Sequence, residues 1–181
     1  LAGDEMSIGD LNHMMHYQCN MASMIQLGKW FDYLRENDVY DNTKIIIVSD
    51  HGAFLSFPEM NFDDDNSAKY NVFNDVNLFK SLLLVKDFDS RELTTDDTFM
   101  TNADTPTLAF SGVIDHPVNP FTGKTINSDY KNKPEQHIVY TNSWSTYENN
   151  GKTFKATIWI GLKGNDTNDT SAWRVIGDKL C

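Results

Sequence analysis

Hydrophobic positions recur every three or four residues from about His13 to Glu36, placing Tyr17, Met21, Met24, Leu27, Phe31 and Leu34 along one stripe. That period predicts an amphipathic helix. Gly28 interrupts it at a position where a close packing contact would justify a residue of low helix propensity. The polar run Asn37-Asp38-Val39-Tyr40-Asp41-Asn42-Thr43 ends the pattern. Then the period disappears: Lys44-Ile45-Ile46-Ile47-Val48 is continuously apolar and β-branched, the signature of a strand covered on both faces, as in a parallel sheet flanked by helices.

The region from Gly52 to Phe73 has little periodicity and includes Asp63-Asp64-Asp65-Asn66, so it reads as a long surface loop. Its acids lack the spacing of a calcium loop. A short helix or turn is predicted at 74–79 and a second buried strand at Leu82-Leu83-Leu84-Val85, ending at Lys86-Asp87. Asp104-Thr105-Pro106 begins a helix, with Asp104 or Thr105 as cap and proline in the first turn; Gly112 ends it. His116 to Lys124, with two prolines and a glycine, forms a rigid turn. Strand composition returns at His137–Thr141 and Thr153–Ile160, around Asn149-Asn150-Gly151, predicting an antiparallel hairpin. Trp173-Arg174-Val175-Ile176 adds a final strand. Asn165-Asp166-Thr167 and Asn168-Asp169-Thr170 are read as loop.

The expected architecture is α/β: one domain over residues 1–181, with a core at 13–112 and an antiparallel part at 113–181. Composition agrees with a folded chain, being 40% hydrophobic and 12% aromatic. A formal charge of −11 leaves no basic surplus to neutralise a phosphate backbone, so nucleic acid is not an expected partner. An anionic ester remains compatible, because a bound cation reverses the local potential. Cys19 and Cys181 make no disulfide framework, and Cys19 is expected to be a small buried hydrophobe. Met14, Met15, Met21 and Met24 are read as packing residues. No segment is long and apolar enough to span a bilayer.

Chemistry concentrates at Ser49-Asp50-His51-Gly52. Ligands of open α/β sheets gather beyond the carboxyl ends of strands, and a carboxylate and an imidazole offered there suit zinc or manganese. The residues alone leave two readings open, a metal pair or a polar turn. His13 and His16, one helical turn apart, are candidates for substrate contact or leaving-group protonation, and Lys86 is a further candidate for an anionic substrate. His116 and His137 are read as structural or exposed.

The segment Leu27-Gly28-Lys29-Trp30-Phe31-Asp32-Tyr33-Leu34, followed by Val39 to Gly52, resembles the C-terminal catalytic segment of the sulfatase and alkaline-phosphatase superfamily. It is most similar to the branch containing lipoteichoic acid synthase and the membrane-bound phosphoglycerol and phosphoethanolamine transferases. Leu82–Val85 and Asn102-Ala103-Asp104-Thr105-Pro106-Thr107-Leu108 resemble later segments of that family. Asn119-Pro120-Phe121-Thr122-Gly123-Lys124 resembles a narrower subgroup. Met24 departs from the pattern, standing where members often carry Asp.

The resemblance implies a partial alkaline-phosphatase-like sheet with helices on both faces, and a divalent metal (Mn, Zn, Mg or Ca) held by Asp50 and His51. The implied substrate is an anionic phosphate or sulfate ester. The nucleophile and a further acidic ligand are expected upstream of His13, making the chain the C-terminal part of an extracytoplasmic enzyme anchored in a membrane through another region. The rival expectation is a noncatalytic binding or structural domain at the cell surface.

Overall fold

The computed structural model describes residues 11–53, 55, 57–62, 65–126, 131–140 and 158–178. Helix α1 (Leu11–Glu36) is followed by β1 (Ile45–Val48), a 3-10 turn at Pro58–Met60, α2 (Asp65–Tyr70), another 3-10 turn at Val76–Phe79 and β2 (Leu83–Lys86). A third 3-10 turn leads into α3 (Thr105–Phe110), and β3 (Glu135–Tyr140), β4 (Ile158–Lys163) and β5 (Trp173–Gly177) complete the fold. It is mixed α/β with two sheets, β1-β2 and β3-β4-β5. The chain divides into two compact units, Leu1–Ile47 with Leu84–Thr94 and Val48–Leu83 with Thr95–Cys181.

In the first unit, α1 ends as its sequence predicts. The Val39 N–H reaches Leu34 O (3.0 Å) and the Asp38 N–H reaches Arg35 O (3.1 Å), around Asp38 at φ 56°. This left-handed closure satisfies the last carbonyls, and aspartate tolerates it better than most residues. Tyr40 then lies under two cations, with Arg35 4.2 Å and Lys86 Nζ 4.4 Å from its ring centre.

The predicted packing stripe is only partly realised. Leu34 is buried and Tyr17, Leu27 and Phe31 are half-buried, whereas Met14, Met15, Met21 and Met24 are exposed. Cys19 is exposed too, contrary to expectation, and Gly28 has nothing near the place a Cβ would take. Periodicity marks which side chains share a face; it does not supply a surface to cover them.

The first sheet also differs from its expected form. Lys44 Nζ meets Asp87 Oδ2 at 3.4 Å, while the Ser49 N–H donates to Leu82 O at 3.1 Å. The start of β1 therefore lies beside the end of β2, and the strands are antiparallel rather than parallel. Ile45 is buried, Ile46 and Ile47 are half-buried, and Val48, Leu84 and Val85 are exposed. A two-stranded ribbon cannot cover both faces of such apolar strands by itself.

The second unit has the described core. Antiparallel pairing sets Ile138 opposite Ile160, Ile160 opposite Val175, and Leu162 opposite Trp173. Directly opposed residues share a sheet face, so these side chains build one apolar surface. Phe62, Val72 and Val76 cover it, with Phe79 packed against Trp173 at 5.3 Å and Tyr140 at 6.1 Å between ring centres. The region read as a surface loop is thus the sheet's lid: Phe62 is fully buried. Isolated apolar residues in an aperiodic stretch carry no signal of the face they will meet.

The opposite sheet face is mixed, with Val139 paired to Trp159 beside a charged pair. Arg174 grips Glu135 through Nε–Oε1 at 2.7 Å and Nη2–Oε2 at 3.0 Å, across Gly161, where a Cβ would lie 2.4 Å from Glu135 Oε1. The predicted hairpin and final strand are present as β3, β4 and β5. Thr141, the proposed turn at 149–151, residues 153–157, Asp63, Asp64 and Cys181 lie outside the described residues.

Candidate functional site

Asp50, His51 and Gly52 leave β1 on a turn whose main chain is held from several directions. The Leu82 N–H donates to Ser49 Oγ at 2.8 Å, and the Gly52 N–H donates to Leu78 O at 3.0 Å. The Asp50 carbonyl accepts from Asn102 Nδ2 at 2.5 Å and from Ser81 Oγ at 3.4 Å. Gly52 is a steric requirement: a Cβ there would lie 1.7 Å from Asn77 O and 2.6 Å from Lys80 O. Because Val76 and Phe79 belong to the core, packing on the sheet also positions the backbone against which the turn rests.

The two side chains are brought together. Asp50 Oδ1 accepts the His51 N–H at 2.9 Å, leaving Oδ2 3.5 Å from His51 Nε2. His51 Nδ1 lies 2.6 Å from Gly52 O; a carbonyl only accepts, so Nδ1 carries the proton. Nε2 is the ring nitrogen near Asp50 Oδ2, and a backbone acceptor on the other ring nitrogen is an arrangement common to ligating histidines. Two zinc bonds of about 2.1 Å at a tetrahedral angle separate their donor atoms by about 3.4 Å. The observed spacing suits one small divalent cation, and both side chains are open to solvent. Among the described residues, no cluster of three or more His, Cys, Asp or Glu is assembled.

A buried polar network supports this turn. Asp104 is 1% exposed and accepts from Asn119 Nδ2 at 2.8 Å, from the Thr101 N–H at 2.9 Å and from Lys131 Nζ. Burial alone would raise the Asp104 carboxyl, but the Lys131, Thr101 and Asn119 hydrogen bonds outweigh it and hold the group below the usual aspartate range. Asn119 Nδ2 also reaches Ala103 O at 3.0 Å, and Asn119 Oδ1 organises its own turn by accepting from the Phe121 and Thr122 N–H groups. Two separate sequence motifs, one at 102–108 and one at 119–124, therefore meet at Asp104. Asn102, two residues before it, is the donor that pins the Asp50 carbonyl.

His13, His16 and Lys86 belong to the other unit. His13 is half-buried and His16 exposed on α1. Lys86 donates to three carbonyls, Tyr40 O, Asp41 O (3.2 Å) and Thr43 O (2.9 Å), and so clamps the turn between α1 and β1. All three ammonium protons are occupied. His116 and His137 are exposed, as expected, and His137 pairs with Glu135 at 3.3 Å.

Sequence reasoning missed Asn102, Ser81 and Lys80. Asn102 sits in a stretch that reads as a helix start, and an amide bonding a carbonyl 52 residues away leaves no local trace. No family model, no curated protein and no solved structure matches this chain.

Proposed function

We propose that Asp50 and His51 are two ligands of a divalent metal in an enzyme that hydrolyses or transfers phosphate or sulfate esters. The supporting observation is the 3.5 Å approach of Asp50 Oδ2 to His51 Nε2, with Nδ1 directed to a backbone carbonyl. The similarity of the Asp-His-Gly segment to the sulfatase and alkaline-phosphatase superfamily, and to its lipoteichoic acid synthase-like branch, adds to this reading. It is also the source of the proposed extracytoplasmic, membrane-anchored setting.

Manganese, zinc, magnesium or calcium held there supplies Lewis acidity that polarises the ester oxygen and makes a hydroxyl more nucleophilic. This chain's contribution is to hold the ligands. Asp50 presents Oδ2 while Oδ1 stays on the backbone, and His51 is fixed in one tautomer by Gly52. Asn102 and Ser81 hold the Asp50 main chain. The nucleophile and another acidic ligand come from a preceding region in this scheme.

Manganese titration monitored by electron paramagnetic resonance tests the ligands in the 181-residue chain. Asp50→Asn and His51→Ala should each weaken binding by at least about tenfold, the scale on which even supporting groups act. Equal affinity in all three proteins removes Asp50 and His51 from the site. For the reaction, the full open reading frame should turn over phosphodiester or sulfate-ester substrates and lose that activity to a chelator.

A further inference from the structure

The turn that carries the pair continues into the side of a wide, open depression of about 450 Å³, lined by Gly52, Ala53, Leu55, Phe57, Glu59, Met60, Asn77 and Lys80. Its size lies within the usual range for small-molecule sites, which combine apolar walls with a few polar groups. Ala53, Leu55, Phe57 and Met60 provide the apolar surface here. Lys80 provides the positive charge.

Lys80 donates one hydrogen bond, to Asn168 Oδ1 at 2.8 Å, leaving two of its three N–H groups without a partner among the described residues. Partial burial pushes its pKa down, while Asp166 and Asp75 act in the opposite sense. Asp75 is fully buried and accepts the Asn77 N–H at 2.8 Å, tying together the segment that bears both Asn77 and Lys80. A positioned ammonium with spare donors on the wall of a depression favours an anionic oxygen. Glu59, on the same wall, disfavours a second negative charge.

Resting on the reading of Asp50 and His51 as metal ligands, we propose that this depression seats the apolar alcohol part of a singly charged ester, with Lys80 hydrogen-bonded to its anionic oxygen. A phosphodiester and a sulfate monoester each carry one negative charge. A phosphomonoester carries about −1.5 to −2 near neutrality and suffers more repulsion from Glu59. Fit to the apolar wall distinguishes an aryl or alkyl ester from inorganic sulfate or a glycerol ester.

The test is calorimetric titration of the 181-residue chain, without metal, using phenyl sulfate, methyl phenyl phosphate, phenyl phosphate, glycerol 1-phosphate and inorganic sulfate. The two singly charged aryl esters should bind most tightly; the better of them identifies the ester type. Lys80→Met should weaken them about tenfold or more, the loss of a charge-assisted hydrogen bond, and Lys80→Arg should restore much of that affinity. Met60→Asp should weaken them too, with circular dichroism confirming folding. The proposal is overturned if inorganic sulfate binds as well as phenyl sulfate or if Lys80→Met has no effect. Failure of the metal reading shows separately, as manganese affinity insensitive to Asp50 and His51.

Discussion

The sheet of β3, β4 and β5 and the helix α1 are both rich in apolar side chains, yet these end in different surroundings. On the sheet, Ile160, Leu162, Trp173 and Val175 are buried beneath Phe62 and Val76. On α1, Leu34 alone is buried, while Met14, Met15, Met21, Met24, Ile25, Trp30 and Tyr33 remain exposed. Both patterns are regular. The difference is a lid: Met60, Phe62, Val72, Val76 and Phe79 pack over the sheet, and no described segment covers α1 to the same extent. Burial, rather than possession, of apolar surface stabilises a fold, so the second unit should be the stable element and should govern the geometry of the Asp50–His51 turn.

The largest expected contrast compares two tryptophans. Trp173→Ala should destabilise the second unit by about 3–5 kcal/mol, while Trp30→Ala on the exposed helix should change stability by less than about 1 kcal/mol. Urea unfolding of the two variants checks this, and equal losses would break the comparison. Removing the buried acid should come next. Asp104→Ala leaves the Lys131 ammonium buried without its carboxylate, at about 3 kcal/mol, and loosens the turn that carries Asn102.

Acid sharpens the same point. Asp104 is depressed in the folded protein, so the unfolded chain takes up the proton first. Its stabilisation is full above the ordinary aspartate pKa of about 3.9 and declines as pH falls through the lower folded value. Urea midpoints measured downward from pH 6 should therefore fall more steeply for the wild type than for Asp104→Asn, and parallel curves would exclude the carboxylate as a contributor.

A smaller effect is expected at the turn itself. Gly52→Ala must displace the backbone at Asn77 and Lys80, at about 1–3 kcal/mol, and should also weaken manganese binding. Preserved manganese affinity would separate the pair from the backbone behind it. Least sensitive is the exposed face of the sheet: Arg174→Ala should remove about 0.5 kcal/mol, detectable as a small shift in the same unfolding midpoint.

Local chemistry made much of this molecule legible. The three-to-four period marked α1 almost to its boundaries, the polar run after Glu36 marked its closure, and Pro106 marked the start of α3. Short unbroken apolar runs identified β1 and β2, and strand composition identified the three strands of the second sheet. The Asp50-His51-Gly52 turn was legible as a candidate because a carboxylate and an imidazole immediately follow an apolar strand. Its supports were not, since Asn102 and Ser81 reach Asp50 from distant parts of the chain.

The sequence by itself determined where backbone hydrogen bonding would be helical or extended, because φ/ψ preference, capping and side-chain period act over a few neighbouring residues. Tertiary structure decided the rest. It made Phe62 core and Cys19 surface, gave β1 an antiparallel neighbour, committed Lys86 to three carbonyls and placed Lys80 beside an open depression. Each of these depends on which distant surface arrives opposite a side chain, and burial, ion pairing and ligand geometry are properties of such meetings rather than of either partner alone.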